Sequence, residues 1–488
     1  MKRHRNGGIG RLGIISTIAT ALILLLGNTG WAAKNVILMI ADGSGYNTWL
    51  AASMYQAKLG GQVYDRPGWR RVGCSTYPLN LFIAPTGSVA QDRTLIYDPL
   101  KAWDGTTSDS KNAGFAGYVY LTTTATDSAA AATAMATGRK TYNNSINWSN
   151  DNRPMRGLSI AEIAKARGKS VGVITTVQWS DATPAGLGGA HNVNRKNHAE
   201  IANEMLGGGR LDVIMGACNP DFDNDGRELP ANARRDYQWV GGEETWKSLK
   251  QGKRGWKLIE NKADFEALTS GPALPKVLGV AQVANTLQEK RGRPLTALKT
   301  TAAVTTPAEQ PFSIPFNQHV PTLATMTKGA INCLDHNPKG FYLMIEGGAV
   351  DWANHANEPA RMIEEQVDFV KAVEAVVDWV DKHSNWDDTL LILTADHECG
   401  LVWGPKSHKI AFDPIEDNGP GRLPGMKHNS HGHSNSLVPL YARGPGSRRF
   451  SEELAEGIDA KAAVVWRFSG LYIDNTSIFK VMQAEVSK

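Results

Sequence analysis

The sequence has only four cysteines and, after residue 26, no apolar run long enough to cross a bilayer. Hydrophobic residues make up 42% and charged residues 20% of its 488 residues, which is ordinary globular composition and argues against wholesale disorder. The cysteine spacing is not that of a zinc knuckle. In an exported protein the cysteines could form disulfides, but four allow three pairings and the sequence does not choose between them. They are Cys74, Cys218, Cys333 and Cys399.

The chain also has little net charge beyond its N-terminus. The formal charge is +4, and the first eleven residues alone carry Lys2, Arg3, Arg5 and Arg11 and no acidic residue. The rest of the chain is therefore neutral. Nothing in this balance calls for nucleic acid as a partner.

The first 32 residues have the features of a secretory signal. The basic segment is followed by a mostly apolar stretch at residues 12–26, and Gly30 and Ala32 are small residues that suit signal peptidase. We predict cleavage after Ala32 and export to the periplasm or the medium, with no stable membrane span afterwards. The alternative is an uncleaved anchor, but the apolar stretch is short for a span and contains Ser16 and several threonines.

Short β-branched runs alternate with helical patterns along most of the chain. Buried strands that alternate with helices indicate an α/β fold with a doubly wound, mainly parallel sheet between helices. In such sheets ligands bind beyond the carboxyl ends of the strands. The predicted strands are residues 35–40, 170–176, 340–345, 389–394 and 438–442, and the predicted helices include 129–137, 160–166 and 359–383.

Residues 219–316 have a different character, with charge clusters, scattered tryptophans and a Thr/Ala/Pro tract at 300–307. We expect one domain over residues 33–488, interrupted here by an inserted subdomain outside the sheet, with a flexible loop. The insertion contains three alternate aspartates followed by Gly226, which is similar to the start of a calcium loop. Asn232 occupies the position where that loop needs glutamate, which argues against calcium.

A serine opens an alanine-rich helix in the segment Thr-Asp-Ser-Ala-Ala at residues 126–130. The Ser128 side chain would lie beside free backbone N–H groups and the positive end of the helix dipole, which is a natural seat for phosphate. The alternative is that Ser128 or Asp127 is only the helix N-cap, and the segment alone favours that interpretation.

Carboxylates and histidines follow several of the predicted strands. Asp351 and His355 are four residues apart, so on a helix they share a face and can bind one metal ion. Asp396 and His397 are adjacent at a strand end and can also bind one ion. Asp42 could bridge two ions with its two oxygens. In isolation, each of these patterns could equally be a surface pair or a polar turn.

Further candidates complete the set. The oxygen ligands Asp181, Thr183 and Glu346 suit magnesium. Arg195 can hold two phosphate oxygens with its planar fork, and Asp127 could orient it, although a single arginine is usually a surface residue. Of three histidines near the C-terminus, at 428, 431 and 433, we expect one ligand and choose the last because it is nearest to the following strand.

In their order along residues 35–446, these motifs resemble those of the alkaline phosphatase family. Asp42 is similar to the bridging aspartate of the family, Ser128 to its phosphorylated serine, and Arg195 to its phosphate-binding arginine. The other residues that match family motifs are Asp181, Thr183, Glu346, Asp351, His355, Asp396, His397 and His433.

The resemblance implies two zinc ions, one magnesium ion and hydrolysis of small phosphate monoesters through a phosphoserine at Ser128. Members are often but not always dimeric, so a homodimer is one option. The implied ligands are Asp351, His355 and His433 for the first zinc; Asp42, Asp396 and His397 for the second zinc, beside Ser128; and Asp42, Asp181, Thr183 and Glu346 for the magnesium.

The residue after Asp351 departs from the family pattern. Trp352 stands where family branches have lysine or histidine, which leaves phosphate affinity and occupancy of the third metal site open.

A phosphodiesterase or sulfatase of the same superfamily is the nearest alternative, but the Asp-Ser-Ala segment and Arg195 favour monoesters. A catalytically silent metal- or phosphate-binding protein would be expected to lack Ser128 or a zinc ligand, and the sequence has them all.

Overall fold

A computed structural model describes residues 33–108, 114–293 and 310–487. The signal peptide predicted at residues 1–32 and the flexible loop predicted at 300–307 lie outside the described residues. Within the described ranges, no helix has both the length and the apolar character needed to cross a membrane.

The described residues form seventeen strands, eleven of which build one sheet. In chain order the strands are β1 (Asn35–Ala41), β2 (Arg70–Ser75), β3 (Trp148–Ser149), β4 (Arg153–Pro154), β5 (Ser170–Gln178), β6 (Val213–Ala217), β7 (Lys257–Ile259), β8 (Val277–Val280), β9 (Phe341–Gly347), β10 (Thr389–Thr394), β11 (Glu398–Cys399), β12 (Val402–Trp403), β13 (Lys427–His428), β14 (His433–Ser434), β15 (Val438–Arg443), β16 (Gly457–Ile458) and β17 (Leu471–Asp474). The order across the sheet is β16-β17-β2-β15-β10-β1-β9-β5-β6-β8-β7. The other six strands pair as the ribbons β3–β4, β11–β14 and β12–β13.

Helices connect most of these strands. In the described ranges they are α1 (Tyr46–Tyr55), α2 (Pro99–Ala102), α3 (Ala116–Thr123), α4 (Ser128–Thr137), α5 (Ile160–Ala166), α6 (Ala182–Leu187), α7 (His198–Gly207), α8 (Glu243–Lys250), α9 (Lys262–Ala267), α10 (Leu323–Leu334), α11 (Ala349–His355), α12 (Pro359–His383), α13 (Arg449–Glu452), α14 (Ala460–Trp466) and α15 (Thr476–Ser487). Every strand and helix that the sequence predicted is present within one or two residues of its expected bounds.

The central strands are buried on both faces of the sheet. Along β1, Val36, Leu38 and Ile40 enter one core, while Ile37 and Met39 enter the other. The first core includes apolar residues of α4 to α7 and α15, and the second includes those of α9, α10 and α12. Helices therefore cover both faces, which explains why these strands are continuous apolar runs without polar alternation.

Parallel pairing dominates the sheet. The neighbours β10, β1, β9 and β5 are all parallel, and the parallel pairing continues through β6, β8 and β7. β15 is antiparallel to both β10 and β2 on the other side. The predicted doubly wound, mainly parallel α/β sheet is confirmed.

The prediction that residues 219–316 stand outside the sheet was wrong. β8 pairs in parallel with β6, with Val277 opposite Val213 and Val280 opposite Gly216, and β7 adds a further parallel strand at the edge. These strands have only four and three residues, so their pattern is too short to distinguish from that of the surrounding loops. The rest of the region contributes loops and the short helices α8 and α9.

The acidic loop in this region is held by protein groups. Asp221 accepts hydrogen bonds from Arg235 Nε and Trp246 Nε1, each at 3.0 Å. Asp223 Oδ1 accepts from the backbone N–H groups of Asp225 and Arg227 at 2.8 and 2.9 Å. These contacts hold the loop to the surrounding protein, and the expectation that it does not bind calcium stays a prediction.

All four cysteines are free thiols. Cys74, Cys218 and Cys399 are buried, and Cys333 is half-buried. None of the three disulfide pairings left open by the sequence is therefore formed.

Candidate metal centre

Four adjacent parallel strands, β10, β1, β9 and β5, end at the same edge of the sheet. Each of them leads directly into residues that the sequence nominated, so parallel pairing brings together side chains that are hundreds of residues apart. The residues at this edge are Asp42 after β1, Glu346 near the end of β9, Asp351 and His355 on α11, Asp396 and His397 after β10, and Asp181 and Thr183 at the start of α6.

Ser128 reaches the same edge from the N-terminus of α4. It is the first residue of that helix and is 4% exposed, and its Oγ lies 3.1 Å from His397 Nε2. Asp127 is the N-cap, and its Oδ1 accepts a hydrogen bond from Ala130 N at 3.0 Å. Because Asp127 caps the helix, the Ser128 hydroxyl is left to face the histidine.

One cluster of candidate metal ligands surrounds this hydroxyl. His397 Nε2 lies 3.1 Å from Asp396 Oδ2 and 3.6 Å from Asp42 Oδ1, and all three residues are buried. The other Asp396 oxygen accepts from the backbone N–H groups of Gly43 and His397, at 3.2 and 2.9 Å. These bonds fix the carboxylate with Oδ2 directed into the cluster. The three side chains can hold one metal ion beside Ser128.

A second cluster consists of Asp351, His355, His433 and Cys399, whose ligand atoms all lie within 4.8 Å of one another. His355 Nε2 is 3.2 Å from Asp351 Oδ2 and 3.0 Å from His433 Nε2. The other ring nitrogens face carbonyl oxygens, so they must be the protonated donors: His433 Nδ1 to Thr126 O at 2.8 Å, and His355 Nδ1 to His431 O at 2.5 Å. Both Nε2 atoms are then free to bind a metal ion.

The two clusters are neighbours. The imidazole rings of His397 and His433 are stacked with their centroids 3.6 Å apart. Gly43, next to Asp42, packs against Asp351: its φ is +68°, and a Cβ there would lie 2.7 Å from Asp351 Cα. Any larger residue would push α11 away from β1, so this glycine keeps the two clusters together.

The other C-terminal histidines do not point into either cluster. His428 Nε2 lies 3.0 Å from Asn354 Oδ1, and His431 Nδ1 lies 3.0 Å from the carbonyl of His355. Of the three, His433 is the one that joins a ligand group among the described residues.

A third group of oxygen atoms lies beside Asp42. Thr183 Oγ1 is 3.5 Å from Asp42 Oδ2, and the Thr183 hydroxyl also interacts with the Glu346 carboxylate. The Asp181 carboxylate caps α6 and faces Arg195. Thr183 and Glu346 are thus in place for a cation beside Asp42. Asp181 Oδ1 accepts from Ala182 N and Arg195, so Oδ2 is the Asp181 oxygen that could reach such a cation.

Arg195 lies between two helix N-termini. Its Nη1 is 3.2 Å from Oδ2 of Asp127, the cap of α4, and its Nη2 is 3.1 Å from Oδ1 of Asp181, the cap of α6. The structure shows the Asp127–Arg195 pairing suggested by the sequence, and it adds the bond to Asp181. The guanidinium is thereby oriented by Asp127, the residue next to Ser128, and by Asp181.

The loop that carries Arg195 is anchored by the buried His191. Its backbone N–H donates to Glu204 Oε2 at 2.8 Å, and its Nδ1 lies 3.0 Å from Glu204 Oε1. Its Nε2 lies 3.6 Å from Glu162. Although burial opposes it, hydrogen bonds and charges from Glu162 and Glu204 raise the pKa of His191, so the two carboxylates favour the charged form of the ring.

Sequence reasoning missed several contributors. Cys399 joins the second ligand group, but burial raises the pKa of its thiol well above the usual value. Asn354 Nδ2 donates to Gly43 O at 3.0 Å and ties α11 to the end of β1. Lys290 Nζ lies 5.4 Å from the ring centroid of Trp352, the residue that departs from the family pattern. Each of these three residues lies near a site residue that the sequence predicted, but its position in the sequence matches no known ligand spacing.

The buried carboxylates of this centre lack enough positive charge and hydrogen-bond donors around them. Burial, followed by repulsion from Asp396 and Asp351, raises the pKa of Asp42 well above its usual value. Burial raises the pKa of Glu346 to about 8 and that of Asp396 to about 7. Within the described structure, one buried oxygen on each of Asp42, Glu346, Asp351 and Asp396 has no hydrogen-bond partner. Divalent cations would satisfy these oxygens, so the residues present fit metal ions.

Known proteins resemble this chain over most of its length. The alkaline phosphatase family model matches residues 106–415. The alkaline phosphatase of Escherichia coli K12 is 32% identical over 433 residues, which cover 85% of this chain and 81% of that protein. Alkaline phosphatase 4 of Bacillus subtilis is 32% identical over 280 residues, covering 56% of this chain, which thus spans about half (50%) of that relative's length. The solved alkaline phosphatase of Thermus thermophilus superposes with a TM-score of 0.59 at 20% identity, covering 93% of this chain and 91% of that one.

Proposed function

The chain belongs to the alkaline phosphatase family, and from this we propose that it hydrolyses phosphate monoesters to an alcohol and inorganic phosphate. The observation that carries the proposal is the Ser128 hydroxyl at the N-terminus of α4, 3.1 Å from His397 in one of two adjacent clusters of metal ligands. A hydroxyl in this position can act as a nucleophile toward an anionic substrate.

We propose that the centre holds two zinc ions and one magnesium ion. Histidine nitrogens and carboxylates in the two clusters suit zinc, and the oxygen atoms around Asp42 suit magnesium. When bound, the ions would compensate the buried carboxylates, favour the alkoxide of Ser128 and polarise the phosphoryl oxygens. The proposed ligands are Asp351, His355 and His433; Asp42, Asp396 and His397; and Asp42, Asp181, Thr183 and Glu346.

The reaction that these residues support has two displacements. Ser128 Oγ attacks phosphorus, the bond from phosphorus to the alcohol oxygen breaks, and a phosphoserine forms as the alcohol departs. Water then attacks phosphorus, which releases phosphate and restores the Ser128 hydroxyl. Arg195, oriented by Asp127 and Asp181, and the backbone N–H groups of the first turn of α4 hold the non-bridging oxygens.

A substrate panel tests the proposed function. We expect an aryl phosphate to be hydrolysed with a kcat/KM far above that of the matched bis-aryl phosphate and the matched aryl sulfate. Metal analysis of the same preparation should find zinc and magnesium. A higher kcat/KM on the diester or the sulfate would assign the chain to those relatives, and inactivity on all three substrates would favour a silent binding protein.

Arg195→Ala is expected to lower kcat/KM for an aryl phosphate by about 100-fold, since a preorganised charged donor is lost from the transferring group. Arg195→Lys keeps the positive charge but not the planar guanidinium with its two parallel donors, so kcat/KM should fall less than in Arg195→Ala. The inhibition constant of inorganic phosphate should rise in the same order. Arg227→Ala, which removes an arginine with 74% side-chain exposure, serves as the control. An unchanged phosphate inhibition constant in Arg195→Ala would remove this arginine from the phosphate site.

We also propose that the chain is exported by the signal predicted at residues 1–32 and acts in the periplasm or the medium. Intact-mass measurement of the exported protein should find an N-terminus at Ala33, within a residue or two. Homodimer formation stays a prediction, which light scattering of the purified protein would test.

A further inference from the structure

A cavity of about 570 Å³ opens between α3 and the β12–β13 ribbon with the loops that flank it. Phe115, the N-cap of α3, and Tyr118 of α3 provide an aromatic surface, and Leu401 adds a further apolar surface. A cavity of this size can accommodate a small organic group.

His428 connects this cavity to the metal centre. It lines the cavity, and its Nε2 lies 3.0 Å from Asn354, the neighbour of the candidate ligand His355 on α11. The cavity also borders the end of α3, and the segment after α3 accepts a hydrogen bond from His433 through Thr126 O. The cavity therefore adjoins the cluster that contains His355 and His433.

The proposed reaction directs the alcohol of the substrate toward this cluster. Ser128 Oγ contacts His397, in the other cluster, and an in-line displacement places the leaving oxygen on the side of phosphorus opposite the attacking oxygen. Because the cluster of His355 and His433 is the neighbour of the cluster that contacts Ser128, the scheme places the leaving oxygen on its side. The part of the substrate attached to the leaving oxygen would thus extend toward the cavity.

The lining of the cavity combines the ammonium group of one lysine with aromatic side chains. Lys427 and His408 belong to it and are both exposed, and no carboxylate lines the cavity among the residues that the structure describes. The Lys427 ammonium forms neither an ion pair nor a hydrogen bond with another side chain among the described residues, so its charge is available to a ligand. Aromatic side chains and an ammonium group in the same cavity suit a flat or apolar group that ends in an anion.

We propose that this cavity binds the alcohol portion of the substrate and favours phosphate monoesters whose alcohol carries a second anionic group on an aromatic or apolar frame. The proposal rests on the phosphomonoesterase function proposed above. Lys427 is the specificity-determining residue, and Phe115 and Tyr118 provide the surface against which the frame packs.

Two matched substrates test the proposal: 4-(2-carboxyethyl)phenyl phosphate and the corresponding amide. The ethyl spacer insulates the phenol, so the two leaving groups have nearly equal reactivity and differ in the distal charge. Wild-type enzyme should show a kcat/KM about three- to fivefold higher for the acid, as expected for one partly exposed ion pair. The preference should diminish at high ionic strength.

Lys427→Glu should reverse the preference, because it lowers kcat/KM for the acid much more than kcat/KM for the amide. The control is Lys409→Glu, which makes the same charge change at an exposed lysine that does not line the cavity. Equal wild-type kcat/KM for acid and amide, or an acid preference that survives Lys427→Glu, would overturn the inference and leave the proposed function intact. Wild-type inactivity on both substrates would overturn the proposed function and the inference with it.

Discussion

A Ser128→Ala variant is expected to lose phosphomonoesterase turnover by at least about 10³-fold while it keeps its fold and its metal content. The hydroxyl is the proposed nucleophile, and no other hydroxyl among the described residues contacts His397. The helix should tolerate the change because Asp127, not Ser128, provides the N-cap, and alanine is a good helix former. We expect the stability change to stay within about 0.5 kcal/mol. Steady-state kinetics, urea unfolding and metal analysis measure the three quantities.

Substitution of a helix N-cap outside the metal centre should lower stability without lowering turnover, which is the opposite of the result expected for Ser128→Ala. Thr322 caps α10, and its side chain accepts a hydrogen bond from Thr325 N at 3.1 Å. Thr322→Ala should therefore cost about 1 kcal/mol of stability and leave turnover unchanged.

Acid quenching in the presence of labelled phosphate gives an independent readout of the nucleophile. Wild-type protein should retain label at Ser128, and the Ser128→Ala variant should not. Wild-type turnover in Ser128→Ala would exclude the phosphoserine scheme.

The central strands could be predicted because burial on both faces leaves a simple pattern in the sequence. The strands β1, β9 and β10 each contain a continuous apolar run that is followed by a polar residue, and this pattern needs no tertiary information. The edge strands β7 and β8 could not be recognised in this way. Their pairing depends on how the chain of residues 219–316 returns to the sheet, which short runs within charged loops do not encode.

The candidate site was predictable for a related reason. In a parallel sheet the residues that follow neighbouring strands must meet, so Asp42, Asp396 and His397 could be grouped from the strand pattern once the motifs suggested metals. The roles of individual side chains were less accessible. That Asp127 caps α4, that Asp181 binds Arg195 and that Cys399 approaches Asp351 all depend on side-chain packing, which local sequence does not determine.

Removing the metal ions is expected to reverse the pH dependence of stability above about pH 6.5. Without metals, burial raises the pKa of Glu346 to about 8 and that of Asp396 to about 7, and Asp351 raises the pKa of His355 to about 9. The folded chain then binds more protons than the unfolded chain in this range, so its free energy of unfolding falls as the pH rises. His397 has a lowered pKa and acts in the opposite sense, but only below about pH 6.5, the pKa of an unfolded histidine.

Urea unfolding of the chelated protein should therefore show a loss of about 1–3 kcal/mol between pH 6.5 and 9. The contribution of His355 to this loss of unfolding free energy is reduced by solvent screening, because its side chain is 42% exposed. The metal-loaded protein should show no such loss, since ions bind the deprotonated ligands and higher pH favours binding. Glu346→Gln removes one of the titrating groups and should make the loss smaller in the chelated protein. If the loaded and chelated proteins lose stability equally over this range, the buried carboxylates are not compensated by metal ions and the proposed centre fails.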